Sequence, residues 1–489
     1  MADDLIDRED EARLLRGLSE SSRSAIALVY GRRRVGKTFL LKSLWPADRR
    51  LYFTATDAGA SVNRRVLIDE AARWSGTDLR PEDLPTWRAV FGALFRLRPH
   101  TPTVLVLDEF QYLADGPRGL RELTSELNAV WEGPHERQAP LFVVLAGSAA
   151  STLEGLSRGG SPLYGRLETA ISLTPFDYFD AGAMVPHYSA ADRVRTYAAF
   201  GGMPAFLAHV DDTIPINQNI IDQLLTPTGT VGLMVRSAIE QQEGLRNVAR
   251  YRAILASVGI GRASLGEIAA ELGASREALR EPLRNLVEMS FVEERSDFGT
   301  SRRKTYQLSD PAERFFYGIT LPLESALAAG GPDLAWAERI SHERWPTYIG
   351  QHVFEEVAAQ AYRRWGAVRG LPVVPEWSRW TGKDRTRRQV DIDLVGRTLD
   401  GAVITGSVKF RNRPADARTY LEHIEALRRL AGSGHGWASE VLQKNAPFYF
   451  VSAGGFSDSF YEAAEPGHEL ICWTLDDLYP AGGQGPEPG

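Results

Sequence analysis

The chain has 489 residues, of which 43% are hydrophobic and 24% charged, and it carries a net charge of −7. That length exceeds a single hydrophobic core and predicts about three domains, while no apolar run approaches the ~18 residues of a membrane span, which excludes a helical membrane protein. The negative balance excludes coating nucleic acid with the whole surface but leaves room for local basic patches.

The start, "MADDLIDREDEARLL", is acidic where a secretory signal would be basic and then apolar, so a cytoplasmic location is expected. The lone cysteine, Cys472, excludes an internal disulfide and reads as a buried apolar residue.

The first apolar run, "AIALV" at 25–29, reads as a strand and leads into "GRRRVGKT" at 31–38, which fits G-x-x-x-x-G-K-[ST]. Glycines in such a turn let backbone N–H groups close round phosphate oxygens, and the helix that follows adds its N-terminal N–H groups and dipole. Gly31, Arg34, Val35, Gly36, Lys37, Thr38 and Phe39 are the candidate nucleotide-binding residues. Lys37 is expected to reach the β and γ phosphates of ATP, and the Thr38 hydroxyl to reach Mg²⁺.

Next, "TPTVLVLDEFQYLA" at 101–114 contains a buried parallel strand from Thr103 to Leu107, with Asp108 and Glu109 at its C-terminal edge, where such sheets bind ligands. Asp108 is expected to hold Mg²⁺ and Glu109 to polarise the attacking water. A further strand, "APLFVVLAGSAAS", ends with Ser148. This serine either contacts the γ-phosphate or the water, or simply caps a helix. Arg166, in "PLYGR" ahead of the strand-like "TAISL", either neutralises transition-state charge in its own subunit or a neighbour's, or is a solvated surface residue.

These segments resemble the AAA-related "archaeal ATPase" family of prokaryotic P-loop ATPases. The likeness extends through "LIDREDEARLL", "FGGMPAFL", "YQLSDPAERFFYG" and "WPTYIGQHVFEE". It implies a P-loop α/β sheet with an extra central strand over 1–185, a helical lid over 186–245, a winged helix over 246–318 and a restriction-endonuclease-like PD-(D/E)XK domain over 335–480; the composition of the tail, "AGGQGPEPG" at 481–489, predicts disorder. The likeness also implies that Arg8 and Glu9 lie near the adenine and that "GGMP" joins core to lid, although a glycine turn with Pro204 in a first helical turn explains the latter equally well.

From residue 251, "YRAILASVGIG", "SLGEIAAELG" and "SREALREPLRNLVEM" have helical apolar spacing, and two strand-like runs follow, the pattern of a helix-turn-helix with a wing. In a DNA reader Arg276, Arg280 and Arg284 on the third helix, and Arg302, Arg303 and Lys304 on the wing, approach the duplex. Glu277, Glu281 and Glu288 share that helix, and Pro282 is expected to kink or shorten it. Such a domain also suits protein partners.

The C-terminal pattern is a helix about 343–365, strands near 388–395 and 402–410, a helix 413–431 and the buried strand "PFYFVSA". On the nuclease plan, Glu355 lies on the first helix, Asp391 and Asp393 alternate on one strand, and Lys409 ends the next. Ser407 stands where the metal-binding glutamate belongs and is a poor Mg²⁺ ligand; Glu376 is a candidate substitute. Lys383, Arg385, Arg387, Arg388, Arg411 and Arg413 suit phosphate contacts or form a solvated basic edge.

The combined expectation is an Mg²⁺-dependent ATP-binding and ATP-hydrolysing protein whose nucleotide state controls a winged helix and a nuclease-like, DNA-binding domain. The alternative is a nucleotide-dependent protein-interaction switch with a catalytically inactive nuclease-like scaffold.

Overall fold

The computed structural model describes residues 5–133, 138–148, 150–242, 245–299, 304–443, 446–465 and 467–480. The chain divides into two compact units, Met1–Pro175 and Phe176–Gly489. The break falls ten residues before the expected boundary at 185, because the helix Tyr178–Ala183 belongs with the second unit: Arg364 pairs with both Asp177 and Asp180.

In the first unit, strands β1 (Ala25–Tyr30), β2 (Arg50–Thr54), β3 (Thr103–Asp108), β4 (Leu141–Gly147) and β5 (Leu167–Ser172) form a wholly parallel sheet in the order β2-β3-β4-β1-β5. β3 and β4 are buried along their whole length, the condition of a parallel strand covered on both faces, whereas edge strand β5 is largely half-exposed. The expected extra central strand is β4, which separates the loop strand β1 from the acid-bearing β3. At ~4.8 Å per strand, this opens about 10 Å between their C-terminal ends. Phe91, Leu105, Phe110, Leu127 and Leu145 anchor the core.

The second unit starts with helices, among them Ala190–Phe200 and Pro204–Leu207. The turn between these two holds Gly201 at φ +65° and seats Pro204 at the first helical position. A side chain on Gly202 would strike the Phe176 carbonyl. Helices Val248–Gly259, Leu265–Glu271 and Arg276–Glu288 then precede the antiparallel hairpin β6 (Val292–Ser296) and β7 (Lys304–Leu308). Helix Arg276–Glu288 runs straight through Pro282 for 13 residues. Buried Leu279, Leu283 and Leu286 hold it in place against the ~3 kcal/mol that an interior proline costs.

A second sheet closes the unit: β8 (Trp377–Lys383), β9 (Gln389–Arg397), β10 (Val403–Lys409), β11 (Phe448–Ser452) and β12 (Leu470–Trp473), in the order β12-β11-β10-β9-β8. β8, β9 and β10 pair antiparallel, and β10, β11 and β12 pair parallel. Helix Ala417–Gly432 packs Tyr420, Ile424 and Leu427 onto Phe448 and Phe450. On the opposite face, the helix Phe354–Trp365 receives the Tyr449 hydroxyl at the Ala358 carbonyl, 3.0 Å away. No helix among the described residues is long and apolar enough to cross a membrane.

Candidate functional site

The loop leaves β1 at Gly31, whose φ of +154° and close approach to the Leu173 carbonyl leave no room for a side chain. Val35, fully buried, pins the loop to the core, and Gly36 at φ +96° turns the chain into the helix Lys37–Ser43. Arg34 is also left-handed, at φ +74°. Lys37 is 5% exposed, and its ammonium donates to the carbonyls of Gly31 (2.8 Å) and Arg32 (2.9 Å) across the mouth of the loop. Burial pushes the Lys37 pKa down, and the nearby Glu109 and Asp108 partly oppose that shift. Burial, then Arg33 and Arg32, likewise lowers Arg34. A loop this crowded with positive charge gains from a polyanion.

Across the gap, Asp108 is 2% exposed, and its Oδ2 accepts from Thr38 Oγ1 (2.9 Å) and Tyr52 OH (2.6 Å). Burial and Asp108 push the Tyr52 phenol far up, so it remains a donor. Thr38 and Asp108 are therefore already in contact, a hard-oxygen pair of the kind that holds Mg²⁺ with the help of phosphates and water. The donor set fits ATP and Mg²⁺.

Glu109 sits at φ +52°, and this turn swings its carboxylate toward β4. There Oε2 accepts from Gln111 Nε2 (2.6 Å), Ser148 Oγ (2.7 Å) and Ser148 N (3.1 Å). Arg33 reaches the same cluster, with Nε 3.4 Å from Ser148 Oγ and Nη2 2.7 Å from Tyr112 OH. Glu109 and Ser148 thus meet at the C-terminal ends of neighbouring strands.

Two other predicted residues are Arg8 and Arg166. Arg8 donates to the Thr174 carbonyl (2.6 Å), one residue beyond the Leu173 carbonyl that abuts Gly31. Arg166 immediately precedes β5, whose first residue pairs with Ile26 near the start of β1; the arginine is at the sheet end opposite the phosphate loop. Exposed and ion-paired with Glu132, it does not reach the site of its own chain. The own-subunit reading is corrected on that ground: a parallel strand separates the two ends.

Residues 23–180 match a family model described as an AAA domain. Over this stretch the chain is similar to AAA domains. An uncharacterized protein of Methanocaldococcus jannaschii is 24% identical over 439 residues, covering 87% of this chain and 92% of that protein. Among solved structures, a Walker-type ATPase of Pyrococcus abyssi is 22% identical with a TM-score of 0.46, covering 65% of this chain and 97% of its own. The ORC2 protein of Aeropyrum pernix, in ADPNP–ADP complexes, is 15% identical with a TM-score of 0.43, covering 67% and 96%.

Away from the stretch that matches the AAA model, the second unit gathers an acidic centre. Asp393 on β9 faces β10, and its Oδ2 accepts from Ser407 Oγ (2.8 Å), Val408 N (2.9 Å) and Lys409 Nζ (3.0 Å); Lys409 also donates to Ser407 Oγ (2.7 Å). Burial alone would raise the Asp393 pKa, but Lys409 and the two other donors hold it below the ordinary carboxylate value. Glu355 is brought alongside: burial, then the Asp393 charge, pushes it up to about 8, while Arg379 Nη1 lies 3.2 Å from its Oε1.

Asp391 is at the exposed margin, 3.9 Å from the Arg379 guanidinium. Glu376 is not brought in: it precedes Trp377, which pairs with Gly396, three residues along from Asp393. With three donors already on Asp393 Oδ2 and Ser407 neutral, the centre is a poor fit for Mg²⁺, and no group of three metal-ligating side chains occurs among the described residues.

The candidate nucleic-acid residues separate into two sets. On the third helix Arg280 lies 3.6 Å from Glu277 and Arg284 lies 3.8 Å from Glu288, while Arg276 rests over Gly266. Lys304 pairs with Glu294 at 2.6 Å. Arg302, Arg303 and the 481–489 tail are outside the described residues.

By contrast, Lys383, Arg385, Arg387 and Arg388 are exposed on the β8–β9 turn, which Asp384 braces through Thr386, Arg388 N and Arg429. That turn, the start of β9 and the end of β10 share one end of the sheet. Sequence reasoning missed Tyr52, Gln111, Arg33 and Arg379, because a single tyrosine, glutamine or arginine carries no spacing signal. It also missed His423, whose buried imidazole meets Thr405 Oγ1 at 3.0 Å and is held neutral by burial with its pKa near 4.

Proposed function

We propose that the chain binds and hydrolyses Mg²⁺·ATP at this loop. Lys37 and the N-terminal amides of helix Lys37–Ser43 grip the phosphates, Thr38 and Asp108 hold the metal, and Glu109, oriented by Ser148 and Gln111, takes up the attacking water. The metal supplies charge neutralisation when bound. The observation that carries this reading is the direct Thr38–Asp108 contact beside a buried lysine in a glycine-turned loop. Arg166, exposed and remote from its own loop, serves a neighbouring copy's nucleotide. In Lys37→Ala, ATP affinity falls by at least ~100-fold; calorimetry that returned wild-type affinity would refute the assignment.

Nucleotide state then controls the second unit, with a helical lid over 186–245, a winged helix over 246–318 and a nuclease-like domain over 335–480 that binds DNA without cutting it. Support for DNA comes from the exposed basic turn Lys383–Arg388, not from the third helix. The paired glutamates on that helix favour the second reading, in which the winged helix contacts protein and the unit is an interaction switch. Salt titration separates them: contacts with several phosphates make affinity fall steeply with salt, through counterion release. Undetectable DNA binding at low salt favours the switch.

A further inference from the structure

We propose that a pocket at the end of β10 binds a phosphate monoester. Beyond Lys409 the chain turns through the exposed Arg411 and Arg413 into helix Ala417–Gly432, bordering a surface pocket of about 240 Å³. Four cations, Lys409, Arg411, Arg413 and Arg418, line it together with two carboxylates, Asp416 and Glu422.

Most of these charges are already engaged. Arg418 pairs with Glu422 at 2.7 Å, Asp416 caps the helix by accepting from Thr419 N (3.3 Å), and Lys409 serves Asp393. Arg411 and Arg413 have no ion-pair partner among the described residues, and their charges are left for an incoming anion.

The backbone carrying them is fixed. A side chain on Gly454 would strike the carbonyls of both arginines, Ala453 N donates to Lys409 O (3.0 Å) and Ala415 N donates to Gly455 O (2.8 Å). Ser452 stands opposite Lys409 in the parallel register and therefore shares its face; its 1%-exposed hydroxyl has no hydrogen-bond partner. Two unspent guanidiniums at the edge of the pocket are the groups that would meet an anion.

The size limits the guest. Pockets for drug-sized ligands run to roughly 300–1,000 Å³, so this one admits a phosphoryl group and part of its sugar but not a duplex. Two unmatched cations suit the dianion of a terminal monoester better than the single charge of an internal diester. The guest is either the end of a nucleic-acid strand, in which case it rests on the DNA reading above, or a free sugar phosphate.

The test is anisotropy of the full chain with one labelled single strand carrying a 5′-phosphate, a 3′-phosphate or no phosphate, with thermal shift by ribose 5-phosphate alongside. One phosphorylated strand is expected to bind at least ~10-fold tighter than the hydroxyl strand, and the preference is expected to vanish in Arg411→Ala/Arg413→Ala without loss of melting temperature. Equal binding of all strands would overturn the pocket while sparing the DNA reading. A ribose 5-phosphate shift lost in the variant, without DNA binding, would sustain the pocket and sink the DNA reading. No response to any phosphate, or a preference that survives in the double variant, also overturns it; should the double variant fold poorly, Arg411→Lys and Arg413→Lys singly must each weaken the preference.

Discussion

Replacing Glu109 by glutamine tests the chemistry of the first unit with the least disturbance to its geometry. Three donors converge on Glu109 Oε2 at 2.6, 2.7 and 3.1 Å, and an amide oxygen in the same place keeps two of them on its two lone pairs. The substitution leaves the side chain in place and removes its charge and basicity. A positioned general base contributes ~10²–10⁴ in rate, which corresponds to about 2.7–5.4 kcal/mol of activation free energy. Lys37, Thr38 and Asp108 make no hydrogen bond to the Glu109 side chain, so ATP affinity stays within about threefold of wild type. Single-turnover hydrolysis with excess protein isolates the chemical step, and calorimetry with a non-hydrolysable analogue reads binding. A rate loss under tenfold would show that the water is polarised elsewhere. A tenfold loss of affinity would show that Glu109 props the site rather than acting in it.

Other substitutions probe separate contacts. Ser148→Ala removes two of the polar contacts around Glu109 and Arg33, and should lower kcat by roughly tenfold, about 1–2 kcal/mol, with KM unchanged; a rise in KM alone would reassign it to binding. Ser407→Glu sets a second carboxylate against Asp393, so melting temperature should fall in EDTA and recover with Mn²⁺, which also raises any nicking; a metal-independent melt would mean that the ligand geometry is gone. Glu355→Gln should stabilise the metal-free protein increasingly between about pH 4.5 and pH 8 and by a constant amount above. The unfolded carboxyl ionises near its ordinary value while the buried one keeps its proton to about 8, costing up to about 1.4 kcal/mol per pH unit in that window. A stability difference that does not vary with pH would refute the shift.

The parts legible in the sequence are those whose function dictates spacing. A phosphate loop needs glycines at fixed offsets ahead of a helix, and a metal carboxylate needs a strand end, so Gly31 through Thr38 and Asp108 could be read directly. Ser148 could be placed only as one of two readings, because a strand-end serine serves equally as a cap; the structure joins it directly to Glu109 by two hydrogen bonds, a partner that local sequence does not reveal. Arg166 depended on which end of β5 it precedes relative to β1, a property of sheet topology rather than of local sequence. Pro282 misled in the opposite direction, since burial of three leucines outweighs a local backbone preference. Edge strands β2 and β8 are mixed in polarity, and give almost no periodic signal.

The acidic centre in the second unit is explained by what Ser407 does to its neighbours. Two carboxylates pointed at one another in a protein interior repel, and a divalent cation between them relieves that repulsion. Here a hydroxyl occupies the place of the second carboxylate, donates to Asp393 and accepts from Lys409, while Glu355 keeps its proton at neutral pH. The remaining negative charge on Asp393 is matched by Lys409, so the centre is electrostatically balanced without a metal. A balanced centre offers little driving force for capturing Mg²⁺, and without Mg²⁺ there is nothing to activate water against a phosphodiester. The same balance consumes the charge of Lys409, which leaves Arg411 and Arg413, a few residues further along the chain, as the groups with charge to spare. On the proposed reading, this sheet end recognises a phosphate rather than cutting a phosphodiester.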